Sequence, residues 1–160
     1  MTAQPTFAHA SVLAGEVLRL LAGCRRGVDG TVGAGGHARL LLDAGAAVLA
    51  FDRDPAAVAA AQLALGSRAT VRHLEFSAAA RDPSVAAFRP DGVLLDLGVS
   101  SPQLDDAGRG FTFRRGAPLD MRMDGTGRTA ADWHNAAPEA DLAQAFAAYG
   151  DEPRARALAR

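Results

Sequence analysis

The stretch Val28-Asp29-Gly30-Thr31-Val32-Gly33-Ala34-Gly35-Gly36-His37 decides the fold. It starts in a short strand-like segment, Arg25 to Val32, whose β-branched apolar residues are Val28 and Val32. It runs into a helical pattern over His37 to Ala44. Glycines between a strand and a helix supply positive φ and let a ligand approach the backbone. The helix that follows offers its first amides to an anionic group. Gly33-x-Gly35-x-x-Ala38 fits a permissive dinucleotide fingerprint, a mark of doubly wound α/β sheets. Alone, the same loop also reads as a structural turn without a ligand.

The flanking sequence extends the alternation of helix and strand. Val12 to Ala22 is amphipathic at helical spacing, with Leu13, Val17, Leu20 and Leu21 on one face. Ala47 to Phe51 reads as a buried strand ending at Asp52. Asp54 caps a helix that has Pro55 in its first turn and runs to about Leu65. Thr70 to Leu74 is a third strand and Gly92 to Leu97 a fourth, buried through Val93-Leu94-Leu95. Such alternation predicts an α/β sheet. From Gly98 to Arg128 the chain is rich in Gly, Pro, Asp and Arg and has little periodicity, the mark of a functional or mobile segment. Thr129 and Asp132 form a capping box. Pro138 opens a helix with Leu142, Phe146 and Tyr149 on one face, and Gly150 stops it. Arg154 to Arg160 begins another helical segment.

Composition sets the limits. The 160 residues make one ordinary domain or slightly more. The 49% hydrophobic fraction is inflated by alanine, so large apolar side chains are in thin supply. All 17 basic residues are Arg, and there is no Lys, no Ile and a single Asn, which reads as codon bias in a GC-rich genome. A net charge of −1 excludes bulk electrostatic gripping of nucleic acid, though not a local Arg cluster. The single Cys24 excludes a disulfide framework and a cysteine zinc site, and no metal is expected. No run approaches the ~18 apolar residues of a membrane span. Glu16 and Arg19 interrupt Ser11 to Ala22, so it does not read as a signal peptide. A soluble cytoplasmic protein with no membrane partner is expected.

Three carboxylates fall at predicted strand ends. Asp52, nineteen residues after Gly33, can take both hydroxyls of a ribose, or can serve as a turn aspartate. Asp29, just before the glycines, can pair with a ligand ammonium. S-adenosylmethionine has such a group and a nicotinamide dinucleotide does not. Asp96 ends the fourth strand ahead of a small, flexible turn, Gly98 to Ser101. Ligands of open parallel sheets bind outside the carboxyl ends of the strands, so the three positions agree. Further on, Arg109, Arg114, Arg115, Arg122 and Arg128 interleave with Phe111 and Phe113. They read either as an RNA surface of phosphate clamps and stacking rings, or as a solvated loop paired with Asp105, Asp106, Asp120 and Asp124. Trp133 reads as core of the helical segment.

Five segments carry a family resemblance: 28–37 (VDGTVGAGGH), 51–55 (FDRDP), 91–113 (DGVLLDLGVSSPQLDDAGRGFTF), 118–124 (PLDMRMD) and 129–137 (TAADWHNAA). Over about residues 9 to 152 the chain resembles the N-terminal half of bacterial 16S rRNA cytosine N4-methyltransferases, the MraW or RsmH family. The resemblance implies a Rossmann-like S-adenosylmethionine-dependent methyltransferase fold with a helical domain inserted after the fourth strand. It divides the chain into a cofactor-binding part, 1–103, and a loop with the start of the inserted substrate-recognition domain, 104–160. By similarity Gly35, Gly36 and His37 contact S-adenosylmethionine, Asp52 holds the ribose, Phe76 flanks the adenine, and Asp96 and Gln103 border the methionine and sulfonium end. Without the family, His37 reads as a helix cap and Phe76 as core.

The implied reaction is methylation of a cytosine amine of 16S rRNA at the decoding centre of the small ribosomal subunit. Asp96, or carbonyls of the Gly98 to Ser101 turn, would serve as the catalytic acceptors. Oligomeric state stays open, a homodimer being one option. Ala34 stands where the family has Arg in GRGGH, and His9-Ala-Ser-Val-Leu13 departs from HxPVL. Family members are expected to continue for about as many residues again, with the last strands of the sheet and a Ser-Phe-His-Ser motif. The competing readings are a cofactor-binding module without activity and a nicotinamide-dependent oxidoreductase, for which Arg53 beside Asp52 would suggest NADP.

Overall fold

A computed structural model describes residues 11–160. His9 and Ala10 of the family-like segment lie outside the described residues. The chain divides into two compact units, Met1–Ser101 and Pro102–Arg160. The division falls two residues before the boundary expected from sequence.

The first unit alternates helix and strand. Its elements are α1 (Ala14–Leu20), β1 (Arg26–Asp29), α2 (Gly36–Asp43), β2 (Ala47–Asp52), α3 (Pro55–Leu65), β3 (Ala69–His73), α4 (Phe76–Ala79), α5 (Pro83–Phe88) and β4 (Gly92–Leu94). The strands form one parallel sheet in the order β3-β2-β1-β4. This is the Rossmann-like α/β arrangement, with the order reversing direction beside β1. Alternation along β2 feeds both faces of the sheet. Val48 and Ala50 pack with Ala38, Leu41, Ala61 and Leu65 under α2 and α3. Leu49 and Phe51 pack with Val28 and Ala79 on the opposite side, where Val85 and Phe88 join them. Asp54 caps α3 by accepting from Ala56 N, with Pro55 at the first turn, as its sequence predicts.

Several expectations need correction. The leucine face of Val12 to Ala22 does not enter the core. α1 is a two-turn helix without a buried residue, Leu13 adopts a left-handed φ of 53°, and Leu20 is 73% exposed. Only Leu21, beyond the helix, packs against the core. The fourth strand is shorter than expected, Gly92–Leu94; among the described residues it pairs with β1 alone, and Val93 is 60% exposed. The pair α4 and α5 was not expected. Asp82 caps α5 by accepting from Ser84 N, with Pro83 next, the same signal that marks Asp54-Pro55.

The second unit continues α6 (Ser101–Asp105), which straddles the division, and contains α7 (Ala130–Ala136), α8 (Glu139–Gly150) and α9 (Ala155–Leu158). Thr129 and Asp132 close the expected capping box reciprocally. On α8, Leu142 is buried but Tyr149 faces outward. Trp133 is 39% exposed and is not the buried core residue expected. The aperiodic stretch before α7 is extensively bonded. Arg109 donates to the carbonyls of Arg122 and Met123, and the Arg122 guanidinium grips the Asp120 carboxylate at 2.9 and 2.7 Å. Arg122 holds that carboxyl down at about 2. Among the described residues no helix is long and apolar enough to cross a membrane.

These assignments separate two leucines. Leu41→Ala, in the core, should cost about 2–5 kcal/mol in urea unfolding. Leu20→Ala should stay within about 0.5 kcal/mol. Equal losses would restore the leucine face of α1 to the core.

Candidate functional site

The carboxyl ends of adjacent strands β2, β1 and β4 bring the acidic residues together. Asp29 ends β1, Asp52 ends β2, and Asp96 stands two residues past β4. Their charges and that of His37 act on one another. Glycine conformation shapes the loop between them. Gly35, at φ 87°, is the N-cap of α2 and lies so close to Leu65 that a Cβ would stand 3.1 Å from its Cγ. Gly30 leaves no room at all: a Cβ there would come within 2.5 Å of Leu95 Cδ2 and 3.1 Å of Phe76 Cβ. Phe76, first residue of α4, therefore lies beside the end of β1, half exposed.

Asp52 braces the loop. Its Oδ2 accepts from Gly33 N and its Oδ1 from Asp54 N, both at 2.9 Å. The structural reading of this residue thus holds, and each oxygen keeps a second lone pair for a ligand hydroxyl. His37 is buried in the first turn of α2 and its Nε2 donates to Val12 O at 2.8 Å. It ties the segment before α1 to the loop; it does not cap its own helix. Its Nδ1 stands 3.8 Å from Asp96 Oδ2. The Asp96 amide donates to Thr31 Oγ1 at 2.7 Å, which fixes the turn after β4 against the glycine loop. Thr31 was missed in the sequence, where it reads as filler between glycines. Gly36 opens α2, where a Cβ would run into Ser11 Oγ. Gln103 lies in α6, within the second unit, and is buried.

Asp29 is the most unusual group. It is 1% exposed, its Oδ1 accepts from Thr31 N at 3.1 Å, and its Oδ2 has no partner among the described residues. Burial pushes its carboxyl up to about 6, against the pull of the Thr31 amide and the His37 ring. A buried carboxylate with an orphaned oxygen is costly unless a donor or cation meets it. The site therefore has an unmet, buried acceptor at Asp29, hydroxyl-binding capacity at Asp52, and an aromatic ring at Phe76.

A Rossmann-like sheet with carboxylates at its switch point is the arrangement at which open α/β sheets place their ligand crevice. The sequence comparisons name the family. A model of the MraW methylase family matches residues 6–160, and the chain belongs to that family. It is 48% identical, over 96% of its length, to the ribosomal RNA small subunit methyltransferase H of Thiobacillus denitrificans, and 49% identical over 95% to that of Azoarcus sp.. It is 47% identical over 98% of its length to the protein of that name from Xanthomonas oryzae. The chain spans about half the length of these relatives.

The burial of Asp29 has a pH signature. An aspartate of the unfolded chain titrates near 3.8 and Asp29 near 6. The folded form binds the extra proton between these values, so stability from this group is present at low pH and is lost as pH rises towards 6. Asp29→Asn should therefore gain stability over the parent protein as pH rises from 4 to 6. The gain should reach order 2–3 kcal/mol and stay level above pH 6. Urea unfolding of both proteins across that range checks it; a pH-independent difference would show that Asp29 ionises freely.

Proposed function

We propose that the first unit binds S-adenosylmethionine at the ends of β1, β2 and β4. We further propose that the protein methylates the N4 amine of a cytosine in 16S rRNA, at the decoding centre of the small ribosomal subunit in the cytoplasm. The observation that carries the cofactor reading is the buried, half-partnered Asp29 beside the glycine loop. Its orphaned oxygen fits an ammonium, which S-adenosylmethionine has and a nicotinamide dinucleotide lacks. Asp52 would take the ribose hydroxyls and Phe76 would flank the adenine. Gly35, Gly36 and His37 would line the approach along the loop. Asp96 would border the reacting end. The role of Gln103 rests on the family resemblance alone. The relatives' names support a methyltransferase acting on small-subunit rRNA. In this reading the second unit contributes to substrate recognition.

The cofactor supplies a methyl group made electrophilic by its sulfonium. The other reactant is weak, because the cytosine amine delocalises its lone pair into the ring. What the chain must provide is alignment and an acceptor for the amine's protons. Asp96 is placed for this: its side chain is about half exposed at the sheet's carboxyl edge, and its backbone is held by Thr31. Its carboxylate would accept a hydrogen bond from the amine, concentrate electron density on nitrogen, and receive the proton lost as the methyl group passes from sulfur to nitrogen, the sulfonium leaving as a neutral thioether. Carbonyls of the Gly98 to Ser101 turn are the alternative acceptors.

Two measurements test this. Calorimetry should show saturable binding of S-adenosylmethionine and none of NAD. At a hundredfold excess over Kd the ligand should stabilise the chain by about 2.7 kcal/mol. Preference for NAD would overturn the cofactor reading. In the methyl-transfer assay on 16S rRNA, Asp96→Ala should lower kcat by about 10²–10⁴, with cofactor affinity changed by only a few-fold. Equal loss of both would make Asp96 a cofactor ligand and not the acceptor.

A further inference from the structure

Five arginines of the second unit, Arg109, Arg114, Arg115, Arg122 and Arg128, offer themselves as phosphate clamps when read from sequence. Four of them are bonded internally, Arg114 and Arg128 through a single donor each. Arg109 donates to the carbonyls of Arg122 and Met123 at 3.3 and 2.8 Å. Arg122 holds Asp120 and reaches Gly127 O. Arg114 donates to Asp105 O, and Arg128 to Asp132 O. Arg114, Arg115 and Arg128 are exposed, and of these three Arg115 has no hydrogen bond or ion pair among the described residues.

These bonds build a pedestal. Met121 N donates to Arg109 O at 3.1 Å, closing the base of an arch that runs between those residues. The chain beyond the arch is pinned to the start of α7, because Ala130 N and Ala131 N donate to the carbonyls of Asp120 and Leu119. Within the arch a turn closes from Ala117 N to Arg114 O. Met121 itself is held at φ 62°, a left-handed conformation that a long side chain adopts only when its surroundings impose it. At the crest Phe113 is fully exposed, two residues before the free guanidinium of Arg115, while Phe111 is partly covered. A bare aromatic ring is open to a flat partner on its face.

We propose that Phe113 is a stacking platform for an unpaired base of the RNA substrate and that Arg115 takes the neighbouring phosphate. Arg109 and Arg122 hold the platform and do not touch RNA. An aromatic face beside an unspent cation matches the two chemical halves of a nucleotide, a π-surface and an anion. An apolar protein segment would use the ring and leave the guanidinium unanswered. The inference rests on the rRNA reading above and adds to it the residues that meet the nucleic acid.

The experiment uses a short single-stranded, cytidine-rich oligoribonucleotide carrying one 2-aminopurine, whose fluorescence falls when the base stacks. The parent protein should bind it with quenching. Phe113→Ala should weaken binding roughly ten-fold and abolish the quench, and Phe113→Trp should retain both. Arg115→Gln should reduce the slope of log affinity against log salt by about 0.7. Phe113 and Arg115 are exposed, so the fold should tolerate these changes, and cofactor binding should be unaltered in every variant. Binding by the parent with unchanged affinity and quench in Phe113→Ala would overturn the platform and leave the rRNA reading standing. So would a change in self-association, seen by sedimentation, with RNA binding intact. Absence of RNA binding by a parent protein that still binds S-adenosylmethionine would instead remove the rRNA reading, and the platform with it.

Discussion

β1 has hydrogen-bonded neighbours on both sides, and the site follows from that. Residues Gly27 to Asp29 pair with β2 on one edge and β4 on the other. A strand so enclosed carries its last residue into the interior, which is how Asp29 comes to be buried while its charge remains. The position of β1 is secured at its other end by Asp91, at the start of β4. That carboxylate accepts from the amides of Arg25 and Arg26 and from the Cys24 thiol. These bonds hold it at about 2, so it stays ionised across the working range. One aspartate thus sets where β1 enters the sheet. The other, at the exit, bears the cost of where it ends.

That cost is an argument about function. Domains seldom keep an ionisable group buried with an oxygen unanswered. They do so where the group's strain is relieved by a ligand, and active sites collect such groups. Asp52 shows the contrast. It lies at the equivalent end of the next strand, but each oxygen already holds an amide, and it acts as the loop's own scaffold. Substituting Asp52 would disturb the loop, whereas Asp29 has one oxygen with nothing structural to lose.

The sequence made the sheet legible because its signals are local. Glycines after Val28, Asp54-Pro55 at a helix start, and the apolar run Ala47 to Phe51 each act within a few residues. The three acidic strand ends were legible for the same reason. What failed depended on neighbours distant in sequence. Val93-Leu94-Leu95 looks buried, but burial depends on what covers each face of the sheet, and among the described residues Val93 is 60% exposed. The α1 leucines have a helical period, which says which residues share a face and not whether a partner meets it. Thr31 escaped notice because its role is to hold an amide sixty-five positions away.

Arginine is the sharpest case of this limit. With every basic residue an Arg, composition gives no distinction between a guanidinium that holds the fold and one that meets a partner. Geometry does, because a planar fork with several donors satisfies adjacent carbonyls as readily as phosphate oxygens. In the second unit most of the forks have been used to bond a segment that has too few apolar side chains to pack. The thin supply of large hydrophobics and the abundance of arginine are then two sides of one solution. Any nucleic acid bound here meets a loop in which Arg109 and Arg122 already serve the fold. On a chain of net charge −1, ring stacking and shape then stand ahead of bulk charge, with Arg115 left for a phosphate.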